Sequence, residues 1–259
     1  MIHHEEVWGT VVALELYEES KSISEIETVS KEAVSFLHEI DRDFSTFKVD
    51  SEISRIRRSE LKIENASARV RLIWKLCEEA RDLTEGAFDP WHARLGGFDP
   101  SGYVKGWAAD QIANKAVAAG ISRVHINAGG DITLRGGMLT SDGEKPWMIG
   151  IQHPEKKNAI ATALPIKNGA VASSGTYERG AHIIDPANGL IAIGARATSV
   201  FGPDGGIADA LATALVVSGR EGARWFLKPE LAEYGCWGVD RNTDSTWSLR
   251  WPERQTDPK

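Results

Sequence analysis

The stretch "GGIADALATALVVSG" (residues 205–219) decides how the chain is read. Small and apolar residues fill it almost throughout, so it reads as a buried helix. It nevertheless carries one charge, Asp209, with the hydroxyl of Thr213 four residues on. At that spacing the two side chains share a helix face, stacked one turn apart. Residues so placed can hold one object between them. Taken alone, Asp209 reads equally well as a near-terminal charge answering the helix dipole.

The rest of the chain bounds the answer. A 259-residue chain with 42% hydrophobic and 26% charged residues has the composition of a globular protein with a substantial core. We read it as one domain over 1–259 with a polar tail from about 252. A net charge of −7 argues against a nucleic-acid partner, which favours a basic face. Cys77 and Cys236 lie far apart with no CxxC spacing, so neither a zinc site nor a disulfide framework is expected. The opening "MIHHEEVWGT" lacks the basic and apolar segments of a signal peptide. No apolar run approaches the roughly 20 residues of a membrane span. The expectation is a cytoplasmic protein.

Periodicity predicts a strand over 7–16 and a helix over 24–44 with Ser24 as N-cap. Further helices are predicted over 67–83 and over 103–119, the latter closed by Gly120. Short β-rich runs follow at 123–128, 131–136, 147–153, 160–166, 169–174, 181–185 and 197–201. After the Asp209 helix come a short helix near 220–228 and two closing strands, "CWGVD" and "TWSLRW". The fold class is α+β, with mixed, largely antiparallel sheets packed with helices.

Four segments are richer in chemistry than packing requires. "GAFDPW" (86–91) places Asp89 before Pro90, and "GGFDPSGYVKGWAAD" (96–110) runs from a glycine-rich turn into a helix with Lys105 in its first turn. Such a turn offers backbone N–H groups to phosphate, and a lysine there is disfavoured by the helix dipole unless an anion is near. "NAGGDI" (127–132) is a tight turn between strands and no dinucleotide fingerprint. "ASSGTYERGAHIIDPANG" (172–189) gathers Ser173, Ser174, Tyr177, Arg179, His182 and Asp185, but without the nucleophile elbow that would support a serine triad.

In order, "GT" (9–10), "FSTFKVDSEISRI" (44–56), "GAFDP" (86–90), "DPSGYVKGWAAD" (99–110), "NAGGD" (127–131), "SSGTYER" (173–179), "HIIDPANG" (182–189) and "ADALATAL" (208–215) make up a pattern. That pattern resembles the FAD:protein FMN transferases, the ApbE family, over most of the chain. The resemblance implies a T-fold-related architecture. It also implies Mg²⁺-dependent transfer of FMN from FAD to a threonine hydroxyl of a partner flavoprotein, releasing AMP. It answers the opening question with Mg²⁺, held by Asp209, Thr213 and the backbone carbonyl of Gly102. It further implies FAD contacts at Trp8, Phe47, Ala87, Phe88, Asp89, Asp99, Lys105 and Ile184, and a general base at His182.

Several positions depart from the family pattern. Trp8 stands where relatives usually carry Met, Phe47 where Tyr is common, and Ala212 where some place a further carboxylate. Asn188 replaces a usual Thr, and the 90–99 segment is short. A FAD pyrophosphatase giving FMN and AMP, or a non-catalytic flavin-binding protein, remain alternatives at this point.

Overall fold

A computed structural model describes residues 1–92, 96–156, 158–175, 183–243 and 245–252. Its central element is an eight-stranded, wholly antiparallel sheet in the order β1-β2-β3-β4-β9-β10-β11-β12. The strands are β1 (Ile2–Val7), β2 (Thr10–Tyr17), β3 (Arg123–Ala128), β4 (Asp131–Arg135), β9 (Gly169–Gly175), β10 (Ala195–Gly202), β11 (Gly235–Asp240) and β12 (Thr246–Leu249). Two hairpins stand apart from it, β5 (Met138–Thr140) with β6 (Gly143–Lys145), and β7 (Trp147–Gln152) with β8 (Ile160–Ile166). The helices are α1 (Ile23–Phe44), α2 (Glu52–Arg57), α3 (Ala68–Leu83), α4 (Ser101–Ala118) and α5 (Gly205–Ser218), with 3₁₀ turns at Gly219–Leu227 and Pro229–Leu231.

Strands β9, β10 and β11 are buried on both faces, whereas β1, β2 and β12 keep one face partly exposed, as alternation of residues between faces allows. Val12, Leu14, Leu16, Val124 and Ile126 turn toward the helices and join the main core. Neighbouring residues divide between faces. Ala172 and Cys236 belong to the helix-side core, while Val171 and Trp237 pack with Ile149, Ile151, Leu164 and Ile166 of the β7–β8 hairpin. Both cysteines are free and buried, and burial pushes their thiol pKa values upward, to about 12 for Cys236. That agrees with the absence of a disulfide framework expected from their spacing.

Helices α4 and α5 cross where neither has a side chain. A Cβ on Gly106 would stand 2.1 Å from the Gly205 carbonyl oxygen, and one on Gly206 would stand 2.5 Å from the Tyr103 ring. The contact lets Asp110 of α4 accept the Gly205 N–H at 2.5 Å, while its other oxygen takes Thr133 Oγ1 (3.1 Å) and Arg135 (3.2 Å) from β4. Burial raises the Asp110 pKa despite those donors. Asp204 caps α5 by accepting the Ile207 N–H at 2.8 Å.

Several sequence expectations need correction. The run 7–16 is not one strand: Trp8 (φ 59°) and Gly9 (φ 69°) form a two-residue turn joining β1 to β2. Positive φ at both central positions is the hairpin geometry that matches strand twist. A tryptophan there is uncommon, which is why the turn was not legible. The N-cap of α1 is Ser22, not Ser24, because Ser22 and Glu25 form a reciprocal capping box. Helix α4 begins at Ser101, so Lys105 lies past its first turn. The expected strand 181–185 is not found: residues 181–182 lie outside the described residues, and Ile184 makes only an isolated bridge to Ile191. The helix near 220–228 is 3₁₀.

The crossing predicts a steep asymmetry. Gly106→Ala would drive a methyl into α5 backbone that cannot step aside, and is expected to lower stability by about 3 kcal/mol, the upper range for overpacking. Urea denaturation followed by circular dichroism would measure it; a loss under about 1 kcal/mol would mean that the helices separate freely.

Candidate functional site

The α4–α5 crossing opens toward the start of β4 and the end of β9 into a cavity of about 410 Å³. A second cavity of about 850 Å³ adjoins it beneath the β1–β2 turn and the end of α1. The two share Phe47, Asp99, Ser101 and Lys105, so they form one continuous cleft. Trp8 lines the larger part; Ala87, Phe88, Asp89, Gly102, Ile184, Asp209 and Thr213 line the smaller. The described residues that the resemblance assigns to FAD or Mg²⁺ thus all line this cleft, whereas Asp185 does not. His182 lies outside the described residues, as do Tyr177 and Arg179.

Each side chain is placed by identifiable local structure. Trp8 owes its position to the left-handed turn described above. Phe47 sits on the loop after α1 with its side chain 97% exposed, at the border of the two cavities. A phenyl ring left wholly in water is costly unless something covers it. Asp99 accepts the Ser101 N–H at 3.0 Å, starting α4, and pairs with Arg57 at 3.0 Å. Asp89 accepts the Trp91 N–H at 3.0 Å and lies 3.4 Å from Arg81.

The electrostatic centre is Lys105. Its ammonium contacts Asp131 and stands 3.1 Å from Asp209, and both carboxylates are buried. Desolvation works against the lysine's charge, but the attraction of Asp131 and Asp209 outweighs it and holds the pKa above the ordinary lysine value. The anion that a lysine near a helix start requires is therefore supplied by the protein's own carboxylates.

Beside them stands a set of oxygen donors. Thr213 Oγ1 shares a hydrogen bond with Ser174 Oγ at 3.2 Å. Gly102 breaks the α4 helix with ψ 16°, which rotates its carbonyl out of the helical array. A Cβ on Gly102 would lie 3.5 Å from Thr213 Oγ1, so its backbone approaches the α5 donors closely. Among the described residues, no group of three or more His, Cys, Asp or Glu could hold a metal ion. Any cation here would rest on a carboxylate, a hydroxyl, a carbonyl and its ligand's own oxygens. Hard oxygen donors of that kind suit Mg²⁺ with phosphate completing the shell.

The serine-triad reading finds no support in the described residues. Asp185 spends both oxygens on its own turn, accepting the Ala187 N–H at 2.9 Å and Asn188 Nδ2 at 2.6 Å. Ser173 Oγ bonds Ser199 Oγ at 2.8 Å. Conversely, sequence reading gave no role to Asp131, though it closes the quoted "NAGGD" turn, nor to the counter-charges Arg57 and Arg81. The acid following a Gly-Gly turn between strands was the available signal for Asp131; its partner lies 26 residues away along the chain.

The model of the ApbE family matches residues 8–98 and 94–236. A FAD:protein FMN transferase from Rhodobacter capsulatus is 33% identical over 164 residues, 60% of this chain and 30% of that protein. One from Vibrio cholerae is 28% identical over 263 residues, covering 79% of this chain and 78% of the relative. The match to the Escherichia coli K12 protein of the same name spans 39% of that relative. In solved structures, the flavin transferase ApbE from Vibrio cholerae superposes with a TM-score of 0.82 at 22% identity over 96% of each chain. The ApbE protein of Thermotoga maritima superposes at 0.83 with 22% identity, covering 96% of this chain and 97% of that one. These likenesses show a shared fold.

Gly102 and Gly106, one turn apart on α4, should respond differently to the same change. Gly102→Ala meets Phe88 Cε2 at 3.2 Å, a flexible side chain rather than backbone. It should cost less than about 1 kcal/mol in the same urea titration. A loss as large as that of Gly106→Ala would contradict the packing described.

Proposed function

The chain belongs to the ApbE family, and on that premise we propose that it transfers FMN from FAD to a threonine hydroxyl of a partner flavoprotein, releasing AMP. The observation that carries the reading is the single cleft in which Lys105, Asp209, Thr213 and Gly102 converge beside the exposed Phe47 and the turn-borne Trp8. A cleft that sets aromatic groups beside a cation and hard oxygens matches a flavin nucleotide, which is aromatic and polyanionic.

In this reading the FAD diphosphate lies against the 99–106 turn and meets Lys105. Trp8 and Phe47 pack on an aromatic face of the substrate. Ala87, Phe88, Asp89, Asp99 and Ile184 shape the walls. Asp209, Thr213 and the Gly102 carbonyl would hold Mg²⁺, which when bound neutralises diphosphate charge and acts as a Lewis acid. The donor set fits that ion, since all three offer oxygen and the Asp209 carboxylate is buried. His182 accepts the proton of the incoming threonine hydroxyl as that oxygen bonds to the FMN-side phosphorus. The bond to the AMP phosphate breaks, and AMP leaves with the electron pair. Histidine is the side chain whose charge changes near neutral pH, which suits that role.

Two variants test the assignment. Asp209→Asn removes the formal charge from the cation site and should reduce metal-dependent turnover on the order of a hundredfold or more, the scale of several kcal/mol of charge stabilisation. Near-normal turnover at limiting Mg²⁺ would contradict it. His182→Ala should slow transfer by roughly 10²–10⁴-fold, the usual worth of general base catalysis, with FAD affinity little changed. The rise of the wild-type rate with pH near neutrality should vanish in that variant. Weak FAD binding, a lowered melting temperature and an unchanged pH profile would instead give His182 a structural role.

A further inference from the structure

Lys105 occupies the very carboxylate on which the proposed cation depends. Its ammonium stands 3.1 Å from Asp209 while it also contacts Asp131, and Asp131 and Asp209 expose only 6% and 4% of their side chains. Of the other acids lining the cleft, Asp99 pairs with Arg57 at 3.0 Å, Asp89 lies 3.4 Å from Arg81 and Asp41 pairs with Lys48 at 2.5 Å, while Glu6 lies on the wall of the larger cavity. Among the described residues the centre brings together two carboxylates and one ammonium. A divalent cation entering alone would set two positive charges beside that ammonium in a partly desolvated place, where charge repulsion is poorly screened. A diphosphate arriving with the cation restores the balance.

We propose that Lys105 is a resident counter-ion that makes divalent-metal binding at Asp209 conditional on the diphosphate of FAD, and that Asp131 is the positioning residue that retains Lys105 in the cleft when Asp209 is given over to the metal. The inference rests on the metal site of the reading above and adds to it an order: the site does not load as a free-standing metal centre. The two contacts on one ammonium give the mechanism. Lys105 loses its 3.1 Å partner to the metal but keeps Asp131, and its freed hydrogen-bonding capacity turns to the phosphate oxygens. Coupling of this kind is reciprocal, so the metal must raise FAD affinity by the factor by which FAD raises metal affinity.

The test is Mn²⁺ binding, read from the electron paramagnetic resonance signal of the free ion, with no ligand, with saturating FAD and with riboflavin, which lacks the diphosphate. In the wild-type chain FAD should tighten Mn²⁺ binding tenfold or more and riboflavin should not. Lys105→Gln should tighten Mn²⁺ binding without ligand by tenfold or more and shrink the FAD effect. Lys105→Arg, which keeps the charge, should preserve most of the coupling. Asp131→Asn should shift ligand-free Mn²⁺ affinity the opposite way from Lys105→Gln and weaken FAD. Thermal unfolding of each variant shows that it is folded. Wild-type Mn²⁺ affinity unchanged within twofold by FAD, equal enhancement by riboflavin, or Lys105→Gln behaving as wild type would overturn the inference. Asp209→Asn separates this from the underlying reading. If it loses Mn²⁺ while the wild type shows no coupling, only the inference falls. If it binds Mn²⁺ as the wild type does with FAD present, the metal assignment falls and takes the inference with it.

Discussion

The structure depends on one contact, the backbone-on-backbone crossing of α4 and α5 at Gly106 and Gly205. No side chain can intervene there, so the helices approach closely enough for Asp110 to accept the first N–H of α5 while bound to Thr133 and Arg135 on the sheet. That carboxylate ties α4, α5 and β4 into one frame. One turn before the crossing lies Gly102, with its rotated carbonyl; one turn beyond the start of α5 lies Asp209, and a further turn on Thr213. The chemistry of the cleft is thus set by where two glycines allow two helices to meet.

On that frame the cleft concentrates charge of both signs with little solvent to screen it. Lys105 lies between buried Asp131 and Asp209, while Asp89 and Asp99 are countered from outside by Arg81 and Arg57. Phe47 stands exposed at the border with the larger cavity, where Trp8 is held at the tip of a strained hairpin turn. A side chain kept in the left-handed region costs free energy that the surrounding fold must offset, and such sites cluster where ligands bind.

Much of this was legible in the sequence, because the cleft is built from short, contiguous blocks whose residues have few structural reasons to be there. The Asp209–Thr213 spacing fixed a shared helix face before any coordinates, and the Gly-Gly pair at 129–130 marked the turn between β3 and β4. What escaped was what local pattern does not encode. Trp8 is no turn former, and β1, "IHHEEV", is a polar edge strand whose alternation is masked by charge, so only a single strand over 7–16 is read there. Ser22 and Ser24 both suit an N-cap, and only the reciprocal bond with Glu25 decides between them. Asp131 gained meaning only when tertiary structure brought it to Lys105.

The central claim is that the cleft joins a flavin to another protein rather than merely storing or splitting FAD. The most direct measurement incubates the chain with FAD, Mg²⁺ and a cell extract, and counts AMP released against flavin fluorescence that remains on protein after denaturing electrophoresis. The account predicts one AMP for each denaturation-resistant flavin, with neither formed when extract is left out. AMP released without any protein-bound flavin, or no AMP at all, would contradict it.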